Sequence, residues 1–455
     1  MVPFIVAMAF VLEQIDSTIV TIAIPQMSLG LGVRPMTLDV LVTSYIISVA
    51  IFLPISGWLA ERYGARRVFC WAIALFTVSS VACGNATDFE TMVVGRFVQG
   101  MGGALMTPVG RLILLRSFTK GDRITAMNYM MIPVIVGPAL GPLVGGLILT
   151  HASWRWIFYV NLPLGVLGIA CALRFFPVFP SGHRTRFDAL GFTLCALGCA
   201  LFMFGVEALV HHKVAAAAGA IAVVVGVAVL ALYARHARRS PNPVLNLSLL
   251  RSRTVGVGIL SGGICRFGMN APTFLLPILL QVAFGLGPMQ AGLLTFTSAL
   301  GALSSRLITR HMLARVGFGR TLTINSAIVV LWIAGFGFLA AATPLWMLAL
   351  YLLGFGVLRA IQYNSIQTLI YSELDGPALS QGTSLAGVAQ QLSTAMGVTI
   401  AASLLAAFAG PLGHPEIADF RKVVAIVAAF PLLAVIGFLR LKPTDGAEVS
   451  GYAPR

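Results

Sequence analysis

Glu13 and Asp16 stand three residues apart in an apolar stretch, 3-24, so both carboxylates share one face if that stretch is helical. Arg96 and Gln99 repeat the spacing in a second apolar stretch, 90-113. With a rise of about 1.5 Å per residue and opposite running directions, Asp16 falls roughly 12 Å below the outer end of its helix and Arg96 roughly 9 Å below the outer end of its own. The depths match. A carboxylate facing a guanidinium at low dielectric is held charged, or exchanges that partner for a proton or a cationic ligand. Two acids outnumber one Arg, so Asp16 is the expected proton site, with Glu13 as helper or alternate. Arg96 serves either that exchange or a purely structural bonding of the two helices.

Arg266 and Arg359 lie nearer the centre of later apolar stretches, and the acids of that half, Glu373, Asp375, Glu416 and Asp419, fall at ends or in loops. An ionisable group at membrane depth costs on the order of 3 kcal/mol unless paired or wet. The two cations therefore need helix carbonyls, the Asn270 or Asn364 side chains, the carboxylates of the first half, or an anionic substrate. Gln99, Arg266, Arg359, Phe267, Tyr363 and Asn364 form the expected substrate cavity, with Phe158, Phe274 and Phe355 as further candidate apolar walls. For any single one of these aromatic residues, lipid or helix packing is the commoner role. Glu207 reads as an interfacial group, and His211 and His212 as an outer loop. Cys195 and Cys199 read as small packing residues, because no His or second Cys pair accompanies them.

The elements that must hold these residues follow from composition. Of 455 residues, 58% are hydrophobic and 10% charged, and mean hydropathy is +0.92. Soluble domains carry roughly a quarter charged residues, so the composition disfavours a soluble enzyme, a disordered chain and a nucleic-acid binder. The net charge of +15 is dispersed in short clusters rather than gathered on one face. No cleavable leader is expected, because the first apolar stretch carries two carboxylates and no small-residue cleavage site.

At about 20 apolar residues per span, candidates fall near 3-24, 38-60, 68-84, 90-113, 125-149, 156-177, 188-209, 214-233, 254-280, 287-307, 321-341, 345-370, 382-408 and 420-439, fourteen in all. With the N-terminus cytoplasmic, 21 basic residues fall on the inner side and five on the outer, which predicts that both termini face the cytoplasm. Arg62, Gly64 and Arg67 after the second span recur at the same offsets as Arg315, Gly317 and Arg320 after the tenth. Such duplication marks transporters built from two bundles about a central site. The expected architecture is all-α: a six-helix bundle over 1-180, an inserted two-helix hairpin over 181-240, and a second six-helix bundle with a short tail over 241-455.

Several stretches carry a family resemblance. Gly57-Trp-Leu-Ala-Glu61-Arg62-Tyr-Gly64-Ala-Arg66-Arg67 resembles the loop motif of the major facilitator superfamily, with Glu61 where Asp is usual. Arg96-Phe-Val-Gln99-Gly100 is similar to its fourth-span motif. The run Gly137-Pro-Ala-Leu-Gly141-Pro142-Leu-Val-Gly145-Gly146 resembles the fifth-span antiporter motif, and Asp16 to Pro25 the first-span motif of the fourteen-helix branch. Trp154-Arg-Trp156 through Asn161-Leu-Pro163 looks like that branch's entry to the sixth span. The chain is therefore identified as a member of the fourteen-helix drug:proton antiporters of the EmrB/QacA type, and the spacing of Arg111, Arg266 and Arg359 is similar to the MdtD-like proteins. Glu13 departs from the general motif.

The resemblance implies that Glu61 and the loop cations latch the bundles in one state, that Arg96 influences proton transfer, and that the fifth-span glycines govern rocking. It implies proton-coupled export of small amphiphilic drugs across a bacterial inner membrane, with the proton gradient as energy source and no cofactor or metal. The alternative is export of an organic anion, such as citrate or a metal-chelated carboxylate, held by Arg266 and Arg359. A membrane enzyme or sensor is the distant alternative, since no catalytic or phosphate-binding motif is present. Expected partners are a small-molecule substrate, protons and the bilayer, with no nucleic acid; whether an outer-membrane efflux partner takes part is left open.

Overall fold

The computed structural model describes residues 1-33, 38-119, 122, 144-145, 147-178, 186-211, 216-286, 288-408 and 416-452. Every regular element among them is helical, as lipid requires of a backbone that must satisfy its own N–H and C=O groups. In chain order they are α1 (Val2–Leu31), α2 (Asp39–Phe52), α3 (Ser56–Tyr63), α4 (Ala65–Asn85), α5 (Phe89–Ser117), α6 (Trp156–Tyr159), α7 (Asn161–Phe175), α8 (Ala189–His211) and α9 (Ala216–Ala237). There follow α10 (Arg253–Ile278), α11 (Pro288–Val316), α12 (Phe318–Gly335), α13 (Leu345–Ser372), α14 (Gly376–Phe408), α15 (Ile417–Phe438) and α16 (Ala447–Ser450).

Eleven of the described helices are long and apolar enough to cross a membrane, twelve when the bent pair Gln290–Ser305 and Ile308–Val316 counts as one. Helix α1 adds a further 30 residues. The protein is a multi-pass membrane protein. Nearly all of the expected span 125-149 lies outside the described residues, with Gly137, Gly141, Pro142 and Gly146; Gly145 is described, and it packs against Ile19.

Local sequence explains the breaks. Pro54 interrupts the second span, which passes through a tight turn at Leu53–Ile55 before continuing as α3. Gly64 and Gly317, at φ +86° and +78°, are each the single residue between two helices, a conformation that disfavours side chains. The repeat in the sequence is thus one hairpin geometry built twice.

The last long connection is shorter than hydropathy suggests. The stretch 371-381, expected as a loop, is helix except for 373-375. Its small polar residues score as loop, yet Leu379, Ser380, Gly382 and Thr383 are buried. There α14 packs on α3 and α5 of the first half, so burial against another helix replaces lipid contact.

Helices α1, α2, α4, α5 and α7 pack among themselves, and α10, α11, α13, α14 and α15 do the same in the second half. Helices α8 and α9 pair with each other, and α8 also touches α2 and α14. Cys195 and Cys199 are buried there as packing residues.

Candidate functional site

Asp16 stands near the middle of α1 with none of its surface exposed. Its Oδ2 accepts from Arg96 Nη1 at 2.6 Å, and its Oδ1 from Gln99 Nε2 at 2.8 Å and Asn161 Nδ2 at 2.9 Å. Arg96 Nη1 also donates to Gln99 Oε1 at 2.7 Å, its Nε to the Leu41 carbonyl at 3.5 Å, and its guanidinium sits 4.7 Å from the centre of the Tyr45 ring. Asn161 Nδ2 donates to Ser80 Oγ at 2.9 Å, and Ser80 Oγ to the Phe158 carbonyl at 3.0 Å. The structure thus brings together the Asp16, Arg96 and Gln99 singled out by spacing. It adds Asn161 and Ser80, polar residues on α7 and α4 that no spacing rule marks.

Glu13, one turn before Asp16, points elsewhere. Its Oε2 accepts from Thr107 Oγ1 on α5 at 2.6 Å. It lines a cavity of about 200 Å³ together with Gln14, Val42, Tyr45, Ile46, Val49, Arg96 and Gln391. Gln391 belongs to α14, so this cavity lies between the two halves. The first-half acids are therefore in different situations: Asp16 is sealed by three donors, and Glu13 faces space that a small molecule or water can enter.

Gln99 is sealed with Asp16, and Arg266, Arg359, Phe267, Tyr363 and Asn364 are not among the residues lining that cavity. Arg266 is fully buried on α10 with its guanidinium 5.3 Å from the Tyr363 ring centre, and among the described residues none of its three nitrogens has a hydrogen-bond partner. Arg359 Nη1 donates to Thr273 Oγ1 at 3.1 Å. Tyr363 O–H donates to Asn270 Oδ1 at 2.9 Å, and both polar atoms of the Asn364 side chain are buried without partners among the described residues. Phe267 packs edge-on to Phe430, Phe355 to Phe336, and Phe158 to Trp154, so these rings fill helix interfaces. Phe274 is only partly buried against the same core.

Near Gly64 the halves are bonded to each other. Glu61 Oε1 accepts from Arg116 Nη2 at 2.6 Å, and that nitrogen also donates to the Gly376 carbonyl at 3.2 Å. Ser56 Oγ and Ser384 Oγ are 2.8 Å apart, Ser380 Oγ donates to the Gly57 carbonyl at 3.0 Å, and Arg111 Nη1 donates to Tyr371 O–H at 3.0 Å. Gly57 is needed for this approach: a Cβ there would fall 2.7 Å from Ser384 Oγ and 3.0 Å from the Ser380 carbonyl oxygen. The partner of Glu61 is Arg116 on α5, one of the 21 basic residues on the inner side of the charge count. Arg62 instead stacks over Trp58 and Tyr63 at 5.5 and 5.8 Å, Arg66 bonds the Leu173 carbonyl, and Arg67 is exposed.

Comparison with known proteins adds relatives and a fold. The model of the Major Facilitator Superfamily matches residues 6–398. A Serratia proteamaculans protein, provisionally named multidrug resistance protein MdtD, is 34% identical over 440 residues, covering 95% of this chain and 92% of its own. A Cronobacter sakazakii protein with the same provisional name is 36% identical over 416 residues, covering 91% and 87%. Among solved structures, the human organic anion transporter MFSD10 superposes with a TM-score of 0.68 at 13% identity, over 96% of this chain and 98% of its own. The proton:xylose symporter XylE, bound to 6-bromo-6-deoxy-D-glucose, gives 0.66 at 15% identity, over 99% and 98%. At such identities the two structures speak to the fold alone.

Proposed function

Because the chain belongs to the Major Facilitator Superfamily and is a small-molecule transporter rather than an enzyme, we propose that it exports amphiphilic, drug-like compounds in exchange for protons by alternating access. The names of its MdtD relatives support export of drugs. The observation that carries proton exchange is the placement of Glu13 on the cavity between the halves, one helical turn from the sealed Asp16–Arg96 pair.

Glu13 is the group that releases its proton when a cationic or polar compound occupies the cavity and takes one up when the compound has left. Proton and cargo then occupy the site in turn, which is the condition for coupling. Asp16 keeps Arg96 neutralised at the cavity wall, and its proton affinity enters only if rocking of the helices loosens the Arg96, Gln99 and Asn161 bonds. This revises the order of the two acids expected from sequence, where Asp16 came first.

Both termini facing the cytoplasm of a bacterial inner membrane, by the count of 21 basic residues against five, makes the face bonded by Glu61, Arg116 and Gly376 the cytoplasmic one. The structure is then the state closed to the cytoplasm. The three-part division at 1-180, 181-240 and 241-455 assigns the rocking bundles to the first and last parts, with α8 and α9 as a membrane-embedded link.

The test is flux by purified protein in liposomes with an imposed pH gradient. Ethidium should move against its gradient with the wild type and should lose its dependence on the pH gradient in Glu13→Gln. Gradient-dependent transport at the wild-type rate in that variant would remove Glu13 from the coupling step.

A further inference from the structure

Two cations and a row of unbonded polar groups meet where the halves touch. All three nitrogens of Arg266, Nε of Arg111, both polar atoms of Asn364 and Oε1 of Gln367 are buried without a hydrogen-bond partner among the described residues. The residues are 0%, 3%, 2% and 1% exposed, respectively. Arg111 comes from α5 of the first half, and the other three from α10 and α13 of the second. Arg266 stands over the Tyr363 ring, whereas Arg111 bonds the Tyr371 hydroxyl and sits 6.0 Å from that ring's centre.

Tyr363, Asn364, Gln367 and Tyr371 follow the spacing that puts side chains on one face of α13. Along that face the two tyrosines are about 12 Å apart at 1.5 Å per residue, so one guanidinium stands near each end and the amides lie between them. Among the described residues no carboxylate forms an ion pair with either cation. Arg359, expected as the second clamp, already bonds Thr273.

A buried charge is retained only when paired and hydrogen-bonded. The planar guanidinium is best satisfied by the two oxygens of an oxoanion, which a monatomic ion cannot present. We propose that this stripe is a binding site for a small organic anion bearing two acidic groups, one held by Arg266 and the other by Arg111, with the Asn364 amide donating between them. The inference rests on the transporter reading and adds a substrate class to it. Entry requires the Arg111–Tyr371 bond across the halves to break, so the ligand loads when the face beside Gly64 opens, and its bound charge draws the halves together again.

The experiment uses full-length protein in detergent, with thermal unfolding followed at rising concentrations of succinate, acetate, inorganic phosphate and chloride at constant ionic strength. A ligand that binds only the folded chain raises the midpoint by mass action. Succinate should raise it saturably, and acetate and chloride should need at least tenfold higher concentrations. Arg266→Met should melt above the wild type in anion-poor buffer, because it removes an uncompensated charge, and should lose the succinate response. Arg111→Gln should weaken that response at least tenfold, and Arg266→Lys should keep part of it.

Should Arg266→Met not accumulate, Arg111→Gln and Arg266→Lys carry the same comparison. No saturable response of the wild type to succinate overturns the proposal, as does a response that survives Arg266→Met. A response to inorganic phosphate with none to succinate overturns it in favour of a free inorganic ion. Proton-driven ethidium flux is read separately, so its absence would remove the coupling account while the melting curves still decide this site.

Discussion

Asp16→Asn is the most informative single change, because the geometry sets its cost. In the wild type Asp16 receives one guanidinium and two amide donors within 2.6 to 2.9 Å, and it and Arg96 are 0% and 1% exposed. Asparagine keeps one oxygen for Gln99 and Asn161, but it turns an NH2 group toward Arg96 Nη1, donor against donor, and leaves a buried cation unneutralised. Breaking a buried pair from one side costs about 3–5 kcal/mol. Removing the cation as well, in Asp16→Asn with Arg96→Leu, abolishes the uncompensated charge and should restore about 2 kcal/mol or more of that loss. Glu13→Gln, whose amide oxygen can still accept from Thr107, should stay within about 1 kcal/mol of the wild type. The assay is thermal unfolding in detergent arranged as a double-mutant cycle. An Asp16→Asn protein that melts with the wild type, or a double variant that melts below the single one, would refute the view that this acid is sealed in a structural pair.

Three further outcomes follow from the geometry. Glu61→Gln removes the ion pair to the half-buried Arg116 and should weaken closure near Gly64 by about 1 kcal/mol, roughly a fivefold shift between states; disulfide trapping of Ser56→Cys with Ser384→Cys, whose oxygens are 2.8 Å apart, should slow accordingly. Gly57→Ala places its methyl carbon 3.0 Å from the Ser380 carbonyl oxygen and should cut both trapping and ethidium flux at least tenfold. At the start of α5, hydrogen bonds from the Thr91 backbone and hydroxyl hold the Asp88 carboxyl below the usual carboxylate range. Its stabilisation relative to Asp88→Ala is therefore complete above about pH 4, the unfolded value, and should fade as pH drops through the lowered folded one, which paired melting curves over acidic pH would show.

Among the described residues, hydropathy and charge placed nearly every helix, because twenty apolar residues between charge clusters have few other uses in a chain this poor in polar groups. They failed at 371-381, where a helix that docks on another helix needs small and polar residues rather than lipid-facing ones. The Asp16–Arg96–Gln99 meeting was legible because equal depth on antiparallel helices can be counted along the chain. Asn161, Ser80 and Thr107 were not, since depth arithmetic does not report which way a lone polar side chain faces. Arg116 was hidden among the charges that set topology, and its bond to Glu61 depends on how the halves are docked. The same holds for Arg111: its role beside Tyr371 exists only once the two halves touch.

The central claim is that Glu13 gives up a proton as cargo enters the cavity it lines. Proton release from detergent-solubilised protein on adding ethidium, read with a pH indicator in weakly buffered solution near pH 7, tests this most directly. The wild type should release protons saturably with ethidium, and Glu13→Gln should release none while Asp16 is left intact. Equal release by the two proteins would contradict the account.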